Sequence, residues 1–188
     1  MTLVLGVVAG ILVLTALSVV VMYNRFVRQR TLIDSSWGGV DVELTRRHEL
    51  IPNLVATVQG YAAHERALLE ALTVAREAAA AQEKQPPDGR AEAEEAMGRS
   101  LAAVMARVEA YPELKADRSF LDLEHQLVET EDRIAAARRF YNLNVSSYNQ
   151  RVRTFPSNLV AGWFGFEPHA FFEISDSAVR TAPGVDLG

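Results

Sequence analysis

Val55-Ala56-Thr57-Val58-Gln59-Gly60-Tyr61-Ala62-Ala63-His64-Glu65 is the stretch on which the number of helices turns. Upstream of it Ile33, Trp37, Val40, Leu44, His48, Ile51, Val55, Val58 and Ala62 advance by threes and fours. That spacing lays one apolar stripe along a helix. Pro52 lies inside the stripe and predicts a kink rather than a stop; Gly38-Gly39 is a weaker interruption. Downstream, Leu68, Leu69, Leu72, Val74 and Ala75 keep a helical period to about Ala81. If Gly60 is passed through, one helix runs to Ala81 and the domain has three long helices. If Gly60 is a C-terminal cap, the chain reverses near Tyr61 and the domain is an up-and-down four-helix bundle. Reversal is the better reading, because the next helical segment needs neighbours of similar length to bury its own stripe.

That next segment comes after Gln85-Pro86-Pro87-Asp88-Gly89, the clearest loop signal in the chain. Two prolines stop one helix, and Asp88 is placed to N-cap another. The helix it opens carries Ala93, Met97, Leu101, Val104, Met105 and Val108 and ends before Pro112. Asp117 or Ser119 then caps the last long helix. There Phe120, Leu127, Ile134, Tyr141, Tyr148 and Phe155 recur every seventh residue, with Leu123, Thr130, Ala137 and Asn144 between them. Such a heptad seam marks left-handed helix packing. Glu129–Arg133 adds a favourable i,i+4 pair, and Pro156 ends the helix. The two outer helices should reach about 50–60 Å each and the two inner ones about 30 Å.

Toward the N-terminus, residues 1–24 carry no charged side chain, and 3–22 is a nearly unbroken run of Leu, Val, Ile, Ala and Gly. Twenty helical residues at ~1.5 Å each cover the roughly 30 Å hydrocarbon core. A cleavable signal peptide would begin with a positive region, which Met-Thr-Leu does not supply. The apolar run also continues through Ala16-Leu17-Ser18, and there is no lipobox cysteine. A buried core helix would show a polar face, and this run has none. The chain therefore divides into an anchor (1–24), a helical-bundle domain (25–155) and an aromatic-rich segment with a loose tail beyond Asp176 (156–188). Tyr23 stands where an interfacial aromatic belongs, and Arg25, Arg28 and Arg30 come directly after it. By the positive-inside rule these arginines place the domain in the cytoplasm and the N-terminus outside, as a single-pass protein.

The rest of the composition excludes more than it assigns. With no cysteine among 188 residues, a disulfide framework, a zinc-thiolate site and a thiol nucleophile are ruled out. A net charge of −5 with interspersed signs, and no basic stripe, gives no nucleic-acid footprint. Of the histidines, His48 precedes Glu49 but has no second histidine at metalloprotease spacing. His125 lies in Asp122-Leu123-Glu124-His125, the single Glu-x-x-His-like match, where a di-iron bundle needs two. His64 and His169 stand alone. Ser35-Ser36 and Ser146-Ser147 lack a partner histidine and carboxylate at motif spacing. No catalytic residue, metal or cofactor is expected. The polar residues of interest are Asn53, Asn142 and Asn149, which should set helix register through buried hydrogen bonds or else line a polar groove. Arg46 and Arg47 are read as a solvated face or as partners of bundle carboxylates. Trp163, Phe164, Phe166, Phe171 and Phe172 crowd the segment after Pro156. They either cap the bundle or meet the membrane interface, and Trp163, Phe164 and Phe166 are the candidates for the second role.

Several stretches carry a resemblance. They are Tyr23-Asn24, Asp41-Val42-Glu43-Leu44, Arg46-Arg47-His48-Glu49-Leu50-Ile51-Pro52-Asn53-Leu54-Val55 and Gly60-Tyr61-Ala62-Ala63-His64-Glu65. Tyr111-Pro112-Glu113-Leu114-Lys115, Phe140-Tyr141-Asn142, Tyr148-Asn149, Phe155-Pro156 and Phe164-Gly165-Phe166 continue them. On these residues the chain resembles the LemA family of bacterial membrane proteins, from Tyr23 to about Phe172. Glu49 stands where that family suggests aspartate. The resemblance implies a single span in the bacterial cell membrane and a helical bundle; it implies no established biochemical activity. Some relatives are associated with organising specialised membranes.

Together these readings predict a membrane-anchored scaffold or adaptor that acts by binding, with the bilayer held through residues 3–22 and protein partners of unknown identity. A signalling or sensory module is the second reading, weakened because almost no sequence lies outside to sense anything. An enzyme with a polar site converging on Asn53, Asn142, Asn149 and Arg46 or Arg47 is the third.

Overall fold

The computed structural model describes residues 1–173, and there the chain is all-α. The expected loose tail beyond Asp176 lies outside those residues. The helices are α1 (Thr2–Tyr61), α2 (Arg66–Ala81), α3 (Pro87–Val108), the one-turn α4 (Pro112–Lys115), α5 (Arg118–Arg153) and α6 (Ser157–Phe164). Sixty residues make α1 about 90 Å long. It runs unbroken through Gly38-Gly39 and through Pro52, whose side chain is exposed.

The reversal expected at Gly60 occurs, but not by the expected device. No glycine other than Gly165 has positive φ among the described residues, so Gly60 is an ordinary last-turn residue and not a left-handed cap. The turn is made by Ala62, which leaves helical geometry at φ −126°, ψ 57° while its N–H still donates to the Val58 carbonyl at 2.8 Å. A 3-10 turn, Ala63–Glu65, then starts α2. Late in α2 the Arg76 Nε–H donates to the His48 carbonyl, 28 residues back, so α2 retraces α1. This excludes the alternative with one helix running to Ala81.

Two further boundaries differ from expectation. Pro87 is the first residue of α3 rather than loop, because a fixed φ suits the first helical position and its missing N–H costs nothing there. Asp88 accordingly falls in the first turn, where its charge complements the helix dipole, and does not cap. At the other end α5 stops at Arg153, so Phe155 leaves the heptad seam and is 75% exposed. The rest of the seam is where the period puts it: Phe120, Leu127, Ile134, Tyr141 and Tyr148 are all buried. Asp117 caps α5 by accepting from the Ser119 and Phe120 N–H groups at 2.8 and 3.0 Å.

The chain forms two compact units, each assembled from sequence-distant parts. In one, residues 43–133, four helical segments surround a single apolar core. Leu50, Ile51, Leu54 and Val58 come from α1, Leu69 and Leu72 from α2, Met97, Leu101 and Val104 from α3, and Phe120, Leu123 and Leu127 from α5. The second unit joins residues 1–42 to 134–171. There α1 and α5 pair along an aromatic seam, with Trp37 against Tyr141 and Phe26 against Tyr148. In this unit later α5 residues meet earlier α1 residues, so the two helices are antiparallel.

Ile134 is 3% exposed and Leu143, nine residues on in the same helix, is 66% exposed. Ile134→Ala should cost ~2–5 kcal/mol through lost transfer energy and a residual cavity. Leu143→Ala should stay within about 0.5 kcal/mol. Denaturant titrations of the detergent-solubilised protein, monitored by helical circular dichroism, compare them. Equal midpoints for the two variants would mean that the buried face of α5 is wrongly assigned.

Candidate functional site

Two groups of side chains stand out from the helical framework, one in each unit. The first lies where α1 leaves its apolar run. Tyr23 meets Phe164 edge to face at 4.9 Å between ring centroids and Phe166 at 5.6 Å. Phe166 stacks on Phe26 at 4.7 Å with 18° between planes. Both contacts depend on the turn after α6. Gly165 sits in the left-handed region at φ 68°, and the Phe166 N–H donates back to the Ala161 carbonyl at 2.9 Å. This Schellman-type end swings Phe166 under the helix; a side chain at Gly165 would strain the backbone. The segment beyond is pinned by Asn149. Its side-chain amide donates to the His169 carbonyl at 2.8 Å, and its side-chain oxygen accepts the His169 N–H at 2.9 Å. Tyr141 adds a third tie, donating its hydroxyl to the Ala170 carbonyl at 2.9 Å. Burial, then the nearby Arg30 cation, hold His169 below the ordinary imidazole pKa, against a smaller opposing pull from Asp34.

The second group is ionic. Arg47 and Glu94 are almost fully buried and paired at 2.7 Å. Arg47 also donates to the Glu94 backbone carbonyl at 3.2 Å and reaches Glu131 on α5 at 3.1 Å. His48 Nε2 lies 3.2 Å from the same Glu94 oxygen that Arg47 holds. Arg90, one turn before Glu94 on α3, faces its other oxygen at 3.5 Å and donates to the Glu83 carbonyl at 3.2 Å. Burial is the largest influence on Glu94 and disfavours its charged form. The His48 hydrogen bond and the Arg47 charge outweigh burial and hold the carboxyl below its ordinary value of 4.5. Three helices are thereby linked through one carboxylate and its partners. Across the described residues, no three His, Cys, Asp or Glu side chains converge as metal ligands would.

A profile of the LemA family matches residues 36–187, which is most of the chain. This chain belongs to the LemA family. Among curated relatives, magnetosome protein MamQ 2 of Paramagnetospirillum magneticum is 28% identical over 89% of this chain and 73% of its own length. Magnetosome protein MamQ of Magnetospirillum gryphiswaldense is 25% identical over 80% and 64%. Protein LemA of Metamycoplasma hominis is 24% identical over 81% and 69%. Membership in this family and the apolar first part of α1, none of whose residues 1–18 is buried, make this a membrane-associated protein.

In this LemA-family chain the residues singled out by sequence are divided between the units. Arg47 is the carboxylate partner that one of its two readings required, and Arg46 is half-buried. Asn53 is exposed on α1, and Asn142 is half-buried on α5. Asn149 is buried, yet it binds the extended segment around His169 and not a facing helix, so it fixes the C-terminal segment instead of helix register. Arg25 and Arg28 are exposed directly after the apolar run, and so is Arg30. Phe166 is buried at 7%, and Phe172 is fully buried, so these two act as caps. Trp163 at 76% and Phe164 at 51% present their rings outward. Sequence reasoning missed Glu94 and Arg90. Their signal is a pair of opposite charges at i,i+4 on positions that continue the Met97–Leu101 stripe of α3, which an exposed helix pair would not occupy.

Glu94→Gln removes the one carboxylate shared by two buried arginines and should cost ~3–5 kcal/mol at neutral pH. Because Glu94 titrates lower in the folded chain than its ordinary 4.5, its contribution is complete above that value and fades as pH falls through the lowered one. The stability gap between wild type and Glu94→Gln should therefore close on acidification below about 4.5. Paired denaturation curves at neutral and acidic pH measure it; a gap independent of pH would mean that Glu94 is not the titrating anchor of this cluster.

Proposed function

We propose that this protein is a single-pass scaffold or adaptor of the bacterial cell membrane, acting by protein–protein contact through its helical domain. The observation that carries this reading is the continuity of α1. The same helix that supplies the apolar run 3–22 also contributes Leu50, Ile51, Leu54 and Val58 to the core of residues 43–133. Whatever binds the domain is thus tethered through unbroken helix to the bilayer segment. The names of the magnetosome relatives support the same reading, because they attach those proteins to a structure and to no reaction. The core favours binding over an internal polar site. Where Val58, Leu69, Val104 and Tyr111 line a recess, it has no room for a water molecule, and the buried polar side chains around Glu94 face one another. Arg25, Arg28 and Arg30 support a cytoplasmic domain with the N-terminus outside.

Two measurements test it. A reporter active only outside the cytoplasm, fused after Gly188, should be silent. A photoactivatable crosslinker at Val128 or Leu121, both exposed apolar positions on α5, should give discrete protein adducts in native membranes. A strong reporter signal would reverse the topology. Absence of any adduct, with the protein folded and membrane-bound, would remove the scaffold reading.

A further inference from the structure

The structure assigns a second membrane contact to this chain: α6 lies in the plane of the bilayer surface, with Leu159, Trp163 and Phe164 inserted at the boundary between headgroups and acyl chains. The inference rests on the reading that residues 3–22 span the bilayer, and it adds where α6 must then lie. Tyr23 closes the uncharged run, just before Arg25, which places it at the lipid–water boundary. Phe164 is in ring contact with Tyr23 at 4.9 Å, so the C-terminal end of α6 is held at the same depth.

The helix has the chemistry for that position. Ser157-Asn158-Leu159-Val160-Ala161-Gly162-Trp163-Phe164 carries no charged side chain. Val160 and Ala161 are buried within their unit, while Leu159, Trp163 and Phe164 are 50%, 76% and 51% exposed. Phe155, just before the helix, is 75% exposed. Four large apolar side chains left in water within ten residues of sequence form an unfavourable surface for a soluble domain, but a favourable one for an interfacial helix. Exposed Arg25 and Arg28 and the neighbouring Arg153 belong to the same unit and offer cations to lipid phosphates. The occupant of this face is lipid, because the face is continuous with the span through the Tyr23–Phe164 contact. Gly165, Phe166 and the Asn149–His169 pair hold it there: they turn the chain back beneath α6 and leave the outer rings free.

The full chain, reconstituted in phosphatidylcholine–phosphatidylglycerol vesicles, provides the test through its two tryptophans. Lipids brominated near the headgroup end of the acyl chain should quench part of the fluorescence, more than lipids brominated near the chain terminus. Trp163→Phe should abolish that quenching. This surface substitution removes no buried contact, so it leaves folding intact. In the Trp163→Phe background, Leu12→Trp reports on the span and should be quenched best by the deep bromines. A quenched Leu12→Trp with equal wild-type and Trp163→Phe responses would overturn the α6 contact and leave the span standing. An unquenched Leu12→Trp would remove the span and the inference with it. Deep quenching of Trp163 would overturn the in-plane placement.

Discussion

A bilayer interior offers no hydrogen-bond partners, and on the proposed span that constraint acts on the whole of α1. On the proposed span, residues 3–22 must satisfy their peptide groups within themselves, and the helical α1 does so. The path of the chain past Tyr23 is set by cost at the exit. Ending α1 at the membrane surface would leave its last carbonyls to be capped or solvated. Continuing it costs nothing where each new turn finds a partner. Phe26, Ile33 and Val40 supply one buried face at once, and Phe26 meets Tyr148 of α5 edge to face. The helix can therefore run to Tyr61 with an anchor at one end and a core-forming stripe at the other.

The Glu94 cluster is a different kind of constraint. Burying ions is expensive, and an apolar replacement of similar volume is often as stable or more so. Such a cluster adds selectivity among packings. Leu, Val and Met on α1 and α3 can slide past each other by a turn at modest cost. Arg47 cannot move from Glu94 by a turn without leaving a buried charge unpaired, and it also spans to Glu131 on α5. The apolar core supplies the attraction between helices, and the ion cluster supplies their alignment.

How much of this is legible in the sequence depends on how local each signal is. The apolar run, the stripe on α1, the heptad on α5 as far as Tyr148 and the stop before Pro112 are periodic or compositional, and the structure keeps them. The Ala62 turn is hidden because Gly60 is the obvious breaker, yet a helix can also end through a non-glycine residue at negative φ that leaves helical geometry. Pro87 and Asp88 each stand one step away from the expected role, since both are good N-terminal residues and only geometry separates cap from first turn. Phe155 fits the heptad by number but lies past the last residue of α5. Asn149, Glu94 and Arg90 are the hardest. Their roles are set by partners, such as the His169 backbone and Arg47, which no spacing brings together before the chain is folded. Many residues of the candidate site can be named from sequence, but the division of the rings between capping and exposure cannot.

The exposed rings bear on how such a protein holds its binding surface. One transmembrane helix fixes depth, but it leaves tilt and rotation about its own axis weakly determined. A domain on such a tether can lean toward the membrane in any direction. A second contact, displaced from the helix axis and rigidly joined to it, restrains the tilt. The α6 segment meets both conditions. It is joined through Phe166 on Phe26 and Phe164 on Tyr23, so that tilting α1 would lift Trp163 out of the interface or drive it deeper. On the proposed function, that restraint would keep the exposed faces of this unit at a fixed angle to the membrane. On the proposed span, the rings that look superfluous on a water-soluble bundle would give the protein a defined tilt.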